Sequence, residues 1–276
     1  MNPFLGVLFH WIGGLAAGSF YAPYRAVHKW SWETYWLAGG LFSWIVAPWI
    51  FALLMVPSTV EALTSAGLAA MVWPYVFGVL WGIGGLTFGL TMRYLGMSLG
   101  MAVALGYCAV FGTLVPPIFH GTFMSEVVGT SSGLVILVGI AVCVAGIAIT
   151  GMAGMSKEGE LSAEDKAASV KEFDFKKGLL VATVAGIMSS CFAFGLSAGA
   201  KIKEMAATAG GDALWHGLPV LIVVMAGGFT TNFIWCVILN VRNHSGGEYL
   251  GITAAGPQSA PIVLRNWLFC ILGGTI

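Results

Sequence analysis

The polar side chains of this chain that could do chemistry are few, and they recur at helical spacing. His10 heads a stripe through Gly14, Ala17, Tyr21 and Tyr24, and an imidazole can take and give a proton near neutral pH. Asn232 shares a face with Gly228 and Trp235, with Thr231 beside it. Trp81 and Thr91 turn together with Phe77 and Phe88, and Tyr107 turns with Gly100, Ala104 and Phe111. Aromatic rings stack on C–H faces, while amides and hydroxyls donate and accept hydrogen bonds without carrying charge. Such a set suits an uncharged polyol better than an ion. Plainer uses exist for each residue: a histidine bonded to a neighbouring helix, an asparagine gluing two helices, rings turned to lipid. The candidate substrate-binding residues are Tyr21, Trp81, Thr91, Tyr107 and Asn232. His10 is the candidate proton carrier, because ionisable groups inside spans are costly and mark pathways.

Enzymatic chemistry has no foothold in the pattern. His10, His28, His120, His216 and His244 are scattered, and no HExxH, CxxC or GxSxG sets up a metal pair, a redox pair or a nucleophile. Cys108, Cys143, Cys191, Cys236 and Cys270 fall in apolar runs, where free buried thiols are expected rather than a disulfide framework. The stretch WGIGGLTFG (Trp81–Gly89) is glycine-rich but lacks the Lys-Ser/Thr of a phosphate loop. No cofactor and no metal are expected, and the chain does not read as an enzyme.

The elements that must position these residues are membrane spans. Of 276 residues, 58% are hydrophobic and 9% charged, against about 25% charged in an ordinary soluble domain. Twelve basic residues balance twelve acidic ones, so charge offers nothing to a nucleic acid. Seven complete spans are expected, near Phe4–Ala22, Tyr35–Val56, Met71–Met92, Leu99–Phe119, Gly133–Met152, Gly178–Ala200 and Leu218–Val241, with an eighth beginning near Trp267. No Asp or Glu falls within these seven. Runs near twenty residues cross a hydrocarbon layer about 30 Å thick as helices, and continuous apolar runs exclude alternating barrel strands. Ten of the twelve Lys and Arg lie in the odd connections, leaving Lys201 and Lys203 in the even ones. The odd loops are therefore expected in the cytoplasm and the N-terminus outside. In FYAPYRAVHKWSWETYW (Phe20–Trp36), Trp30, Trp32, Tyr35 and Trp36 read as an interfacial belt. That leaves Glu33 unexplained: it pairs with Arg25 or Lys29, or it gates the cytoplasmic exit.

Internal similarity adds an architecture. At an offset of 172 residues Gly6/Gly178, Leu8/Leu180, Gly14/Gly186, Phe20/Phe192, Ala26/Ala198 and Lys29/Lys201 match. A repeat of five spans re-enters the membrane from the opposite side, and inverted repeats of this kind build transporters. The expected layout is a first five-helix repeat over 1–152, a charged cytoplasmic linker over 153–177 and an incomplete second repeat over 178–276. Gly78, Gly82, Gly85 and Gly89 should form one face for close helix packing.

Three strings carry a resemblance. FYAPYRAVHKWSWET (Phe20–Thr34), WGIGGLTFGLTMRYLGMSLGMAVALG (Trp81–Gly106) and GTLVPPIFHG (Gly112–Gly121) resemble the L-rhamnose–proton symporter family, within the drug/metabolite transporter superfamily. The resemblance implies an all-α polytopic bundle of ten helices in two inverted halves (5+5), of which about seven or eight are present here. A C-terminally truncated chain is the corresponding expectation. It also implies a secondary transporter importing L-rhamnose with a proton across the bacterial inner membrane, powered by the proton gradient. Sugar, proton and the lipid bilayer would be its partners, with no obligatory protein partner. His10, Glu33 and Arg93 stand at positions the family pattern shares; Glu33 and Arg93 are candidate gating residues at the cytoplasmic loops.

Overall fold

The computed structural model describes residues 3–160, 174–210 and 212–276. Its elements, in order, are α1 (Pro3–Ser19), a 3-10 turn (Pro23–Ala26), α2 (Trp32–Leu41), a π turn (Phe42–Val46), α3 (Ala47–Met55), α4 (Thr59–Ala66) and α5 (Leu68–Leu95). There follow α6 (Met97–Phe119), a second π turn (Phe123–Val128), α7 (Ser131–Glu160), α8 (Phe175–Ala198), α9 (Ala200–Thr208) and α10 (Leu218–Arg242). A 3-10 turn (Gly246–Leu250), a two-residue antiparallel pair, β1 (Ile252–Thr253) with β2 (Gly256–Pro257), and α11 (Ala260–Thr275) complete the described chain.

Among the described residues, six stretches are long and apolar enough to cross a membrane: Trp32–Met55, Leu68–Thr91, Leu99–Ile118, Ser131–Ala153, Phe175–Ala198 and Leu218–Arg242. Large apolar side chains cover the outside, among them Trp11, Trp73, Val135 and Leu180, a surface that suits lipid and not water. The protein is a polytopic helical membrane protein.

Two ends of the chain differ from the sequence reading. α1 stops at Ser19, three residues before the expected end. Pro23 has no N–H to give the Ser19 carbonyl, so the chain turns at Phe20–Ala22 and Tyr21 and Tyr24 leave the helix that carries His10. The last helix starts at Ala260, seven residues before Trp267, with Pro261 in its first turn, where a missing N–H costs nothing. The second helix begins at Trp32 instead of Tyr35, which brings Glu33 inside it. α7 continues past Met152 to Glu160; residues 161–173, the middle of the stretch read as a linker, lie outside the described residues.

Glycines break and pack the helices. Gly67 and Gly96 take φ of +80° and +76° with ψ of 161° and 169°, an extended positive-φ conformation that is essentially glycine's alone, where α4 and α5 end. α5 lies against α10 through Gly78, which faces Val224 and Gly227, and Gly82, which faces Thr231 and Gly228. Gly85 and Gly89 meet nothing, while Gly84 faces Ser189 on α8. α5 also packs on α8, α6 on α8, and α2 on both α10 and α11. Helices from before and after residues 161–173 therefore interleave. One core cluster joins Ala52, Leu63, Ile202, Val220 and Val224, and another joins Leu95, Leu99, Val103, Ala104 and Ala182.

The segment before α2 meets the connection after α10 through Ser31–Glu248 and meets α11 through His28–Asn266, while α4 packs on α9. Asp174 N donates to Tyr94 O at 3.2 Å, joining the start of α8 to the end of α5.

Candidate functional site

The turn after α1 and the first turn of α2 deliver Phe20, Tyr21, Tyr24, Trp32, Tyr35 and Trp36 to one place. Trp32 and Trp36, one helical turn apart, stack at 5.5 Å and 17°. Trp36 also meets Tyr21 at 5.7 Å and Trp44 at 5.8 Å. Trp44 comes from the π turn Phe42–Val46; the wider turn re-aims the side chains that follow it, and π turns recur at functional sites. From Trp44 the rings continue to Trp81 at 6.3 Å, and from Trp81 to Phe192 at 5.0 Å. The result is an aromatic ladder from one end of the bundle toward its interior. Trp30 turns inward instead, edge-on to Tyr249 at 6.0 Å and Trp267 at 5.7 Å. The expected interfacial belt is thus largely an internal cluster: Trp30 is buried and Tyr35 and Trp36 half-buried.

One amide closes the ladder. Asn232 is buried on α10, and its Nδ2 donates to Gly228 O at 2.9 Å while its Oδ1 accepts Trp36 Nε1–H at 3.1 Å. Gly228 leaves room for the Trp81 ring beside that amide, because a Cβ there would stand 2.5 Å from its ring carbons. Thr231 Oγ1–H to Val79 O, and Tyr75 with Thr230, each at 2.8 Å, stitch α5 to α10 on either side. The buried face of α10 runs Gly228, Asn232, Cys236, Asn240. Trp235 is exposed rather than beside Asn232.

Three of the substrate candidates, Tyr21, Trp81 and Asn232, thus belong to one connected set. Tyr107 sits apart, packed on Phe111 at 6.0 Å and in the Leu95–Ala182 cluster. Thr91 is fully buried, and its Oγ1–H goes to Thr87 O on its own helix at 3.1 Å. His10 is exposed on α1, away from the ladder. The Arg93 side chain lies outside the described residues. Trp36, Trp44 and Asn240 join the candidate site without having been singled out for it in the sequence. Asn232, Cys236 and Asn240 at i, i+4, i+8 could have found the last of these.

A polar cluster borders the ladder at the end that charge bias assigns to the cytoplasm. Glu33 Oε1 accepts Asn243 Nδ2–H at 2.9 Å and Ser245 Oγ–H at 2.7 Å. Glu248 takes Ser31 N–H at 2.6 Å and Ser31 Oγ–H at 2.8 Å. Asn266 brackets the His28 backbone, accepting its N–H at 3.0 Å and donating to its C=O at 2.9 Å. Burial pushes the Tyr249 phenol up to about 12 and holds Tyr24 well above the usual phenol range, so both stay neutral at physiological pH, and the Tyr249 hydroxyl accepts Asn240 Nδ2–H at 3.4 Å.

Such a set of rings, amides and neutral hydroxyls can hold an uncharged polar molecule. The family model "L-rhamnose-proton symport protein" matches residues 2–276. L-rhamnose-proton symporters of Escherichia coli O1:K1 / APEC and Cronobacter sakazakii are 37% and 38% identical to this chain over 270 and 272 residues. Each alignment covers 98% of the chain, and 76% and 75% of those proteins. The L-rhamnose-proton symporter of Yersinia pestis bv. Antiqua is 37% identical over 272 residues, 98% of this chain and 76% of that protein. No solved structure matches. By a family match across nearly its whole length, this chain belongs to the L-rhamnose-proton symport protein family.

Proposed function

We propose that this protein imports L-rhamnose by proton symport across the bacterial inner membrane, as a secondary transporter and not an enzyme. The family match supports that activity. The observation that carries the binding mode is the Trp36–Asn232 bond within the Trp32–Trp36–Trp44–Trp81 ladder. Rhamnose presents hydroxyls on a ring with C–H faces and one methyl group. Trp81 and Trp44 supply flat apolar surface for those faces, at about 0.5–1.5 kcal/mol per ring by analogy with aromatic pairs. Asn232 orients a hydroxyl, and Tyr21 lies against Trp36 at the ladder's outer rungs. Tyr107 and Thr91 support neighbouring helices in this reading.

The fold follows the inverted 5+5 plan, with a first repeat over 1–152, a linker over 153–177 and the second repeat from 178. The site then lies between repeats, since α2 and α5 come from the first, and α8 and α10 from the second. His10 is the candidate for loading the proton at the outer side, with the proton gradient as the energy source. A competition panel of deoxy-sugars, amino acids and nucleosides against labelled L-rhamnose in proteoliposomes tests the substrate. L-rhamnose should compete best; strongest competition by an amino acid or nucleoside would assign another substrate, and no flux at all would favour a sensor or scaffold.

A further inference from the structure

Glu33 and Glu248 are the buried carboxylic acids among the described residues, 4% and 6% exposed. They form a reciprocal latch. Glu33 on α2 is held by Asn243 and Ser245 from the connection after α10, and Glu248 from that connection holds Ser31, the N-cap of α2. Every one of these donors is neutral. The charged form of Glu33 therefore rests on hydrogen bonds and on the start of α2, where a helix favours negative charge. Those bonds exist only while α2 and the post-α10 connection are docked.

The hydroxyl of Ser245 has a second choice. It lies 2.7 Å from Glu33 Oε1 and 3.1 Å from Asn240 Oδ1, and its one hydrogen serves one acceptor at a time. With Glu33 ionised, the hydrogen belongs to Glu33. A proton added to Glu33 makes the carboxyl a donor, Ser245 turns its hydrogen to Asn240, and the Asn243 N–H loses its strong acceptor. Asn240 lies on the α10 face of Asn232, eight residues along and so about 12 Å away. The latch and the sugar amide thus bridge the same two helices, α2 and α10.

We infer that Glu33 carries the coupled proton at the cytoplasmic end, and that its protonation releases the latch so that sugar and proton leave inward. The proton arrives from the outer bulk, rests on the Glu33 carboxylate, and departs to the cytoplasm when the ionised latch re-forms. This rests on the proton-symport reading. The titratable groups facing Glu33 are Tyr35 on α2, Cys236 on α10 and, in the connection after α10, Tyr249, which Glu248 in turn faces. On the other packed elements lie Tyr24 and Cys270, with Arg25, Lys29, Arg242, His244 and Arg265 exposed.

The test compares the protein with its Glu33→Gln, Glu33→Asp and Ser245→Ala variants in proteoliposomes, with L-rhamnose affinity measured across pH. Glu33→Gln should lose gradient-driven accumulation at least tenfold while sugar counterflow falls less than threefold, and its affinity should cease to vary with pH. Glu33→Asp should restore coupling. Ser245→Ala keeps the carboxylate but removes a donor to its charged form, so the pH midpoint should move upward. A coupled unmodified protein whose Glu33→Gln variant still accumulates sugar, or an unmoved midpoint in Ser245→Ala, overturns the assignment alone. An unmodified protein indifferent to pH overturns the symport reading together with it.

Discussion

Replacing Asn232 by leucine separates a sugar ligand from a helix contact. The amide offers two lone pairs on Oδ1 and two N–H groups on Nδ2. The protein uses one of each, for Trp36 Nε1–H at 3.1 Å and Gly228 O at 2.9 Å. One lone pair and one N–H remain for a sugar hydroxyl. At about 0.5–1.5 kcal/mol net per neutral bond, losing both weakens binding by about 1–3 kcal/mol. The L-rhamnose Kd should then rise about 5- to 150-fold. The same substitution strips Trp36 of its acceptor in free and bound protein alike, so that loss appears as a lower Tm and not in Kd. Trp36→Phe is the matched control, since it removes the indole donor, keeps a ring and leaves Asn232 in place. Titration of purified protein with L-rhamnose, followed by calorimetry, reads Kd, and a thermal melt reads the other loss. A lower Tm with an unchanged Kd would make Asn232 helix glue and refute the proposed binding mode.

Other perturbations give distinct outcomes. Gly228→Ala places a methyl against Trp81; displacing the ring should weaken L-rhamnose binding with little change in helix content, and unaltered affinity would remove Trp81 from the site. Asn266→Leu deletes both bonds to the His28 backbone, while Gln258 Nε2–H still reaches the His28 carbonyl; at about 1 kcal/mol each the loss should be about 2 kcal/mol in a denaturation assay. His10→Ala should reduce gradient-driven uptake more than counterflow, which moves no net proton; equal losses in both would make His10 structural.

Much of the bundle was legible because lipid demands long apolar helices. The spans from Leu68 to Arg242 fall within three residues of their expected ends. Local breaks were harder to see. Pro23 ends α1 through one missing N–H, and that removes Tyr21 and Tyr24 from the His10 stripe. Trp44 reaches the ladder through a π turn, and a helical wheel drawn at 3.6 residues per turn cannot show that. Glu248 and Asn266 meet Ser31 and His28 across more than 200 residues of chain. Spacing within a segment contains no sign of such partners. The glycine face of α5 was half legible for the same reason: Gly78 and Gly82 face α10, while nothing packs on Gly85 and Gly89.

The most direct measurement of proton-coupled L-rhamnose import is labelled-sugar accumulation in proteoliposomes under an imposed pH gradient. With one proton per sugar, each pH unit of acidity outside supplies about 1.4 kcal/mol, enough for about tenfold accumulation. Import of that size, abolished by a protonophore, is the predicted result. L-rhamnose entry that equilibrates without responding to the gradient, or no entry at all, would contradict it.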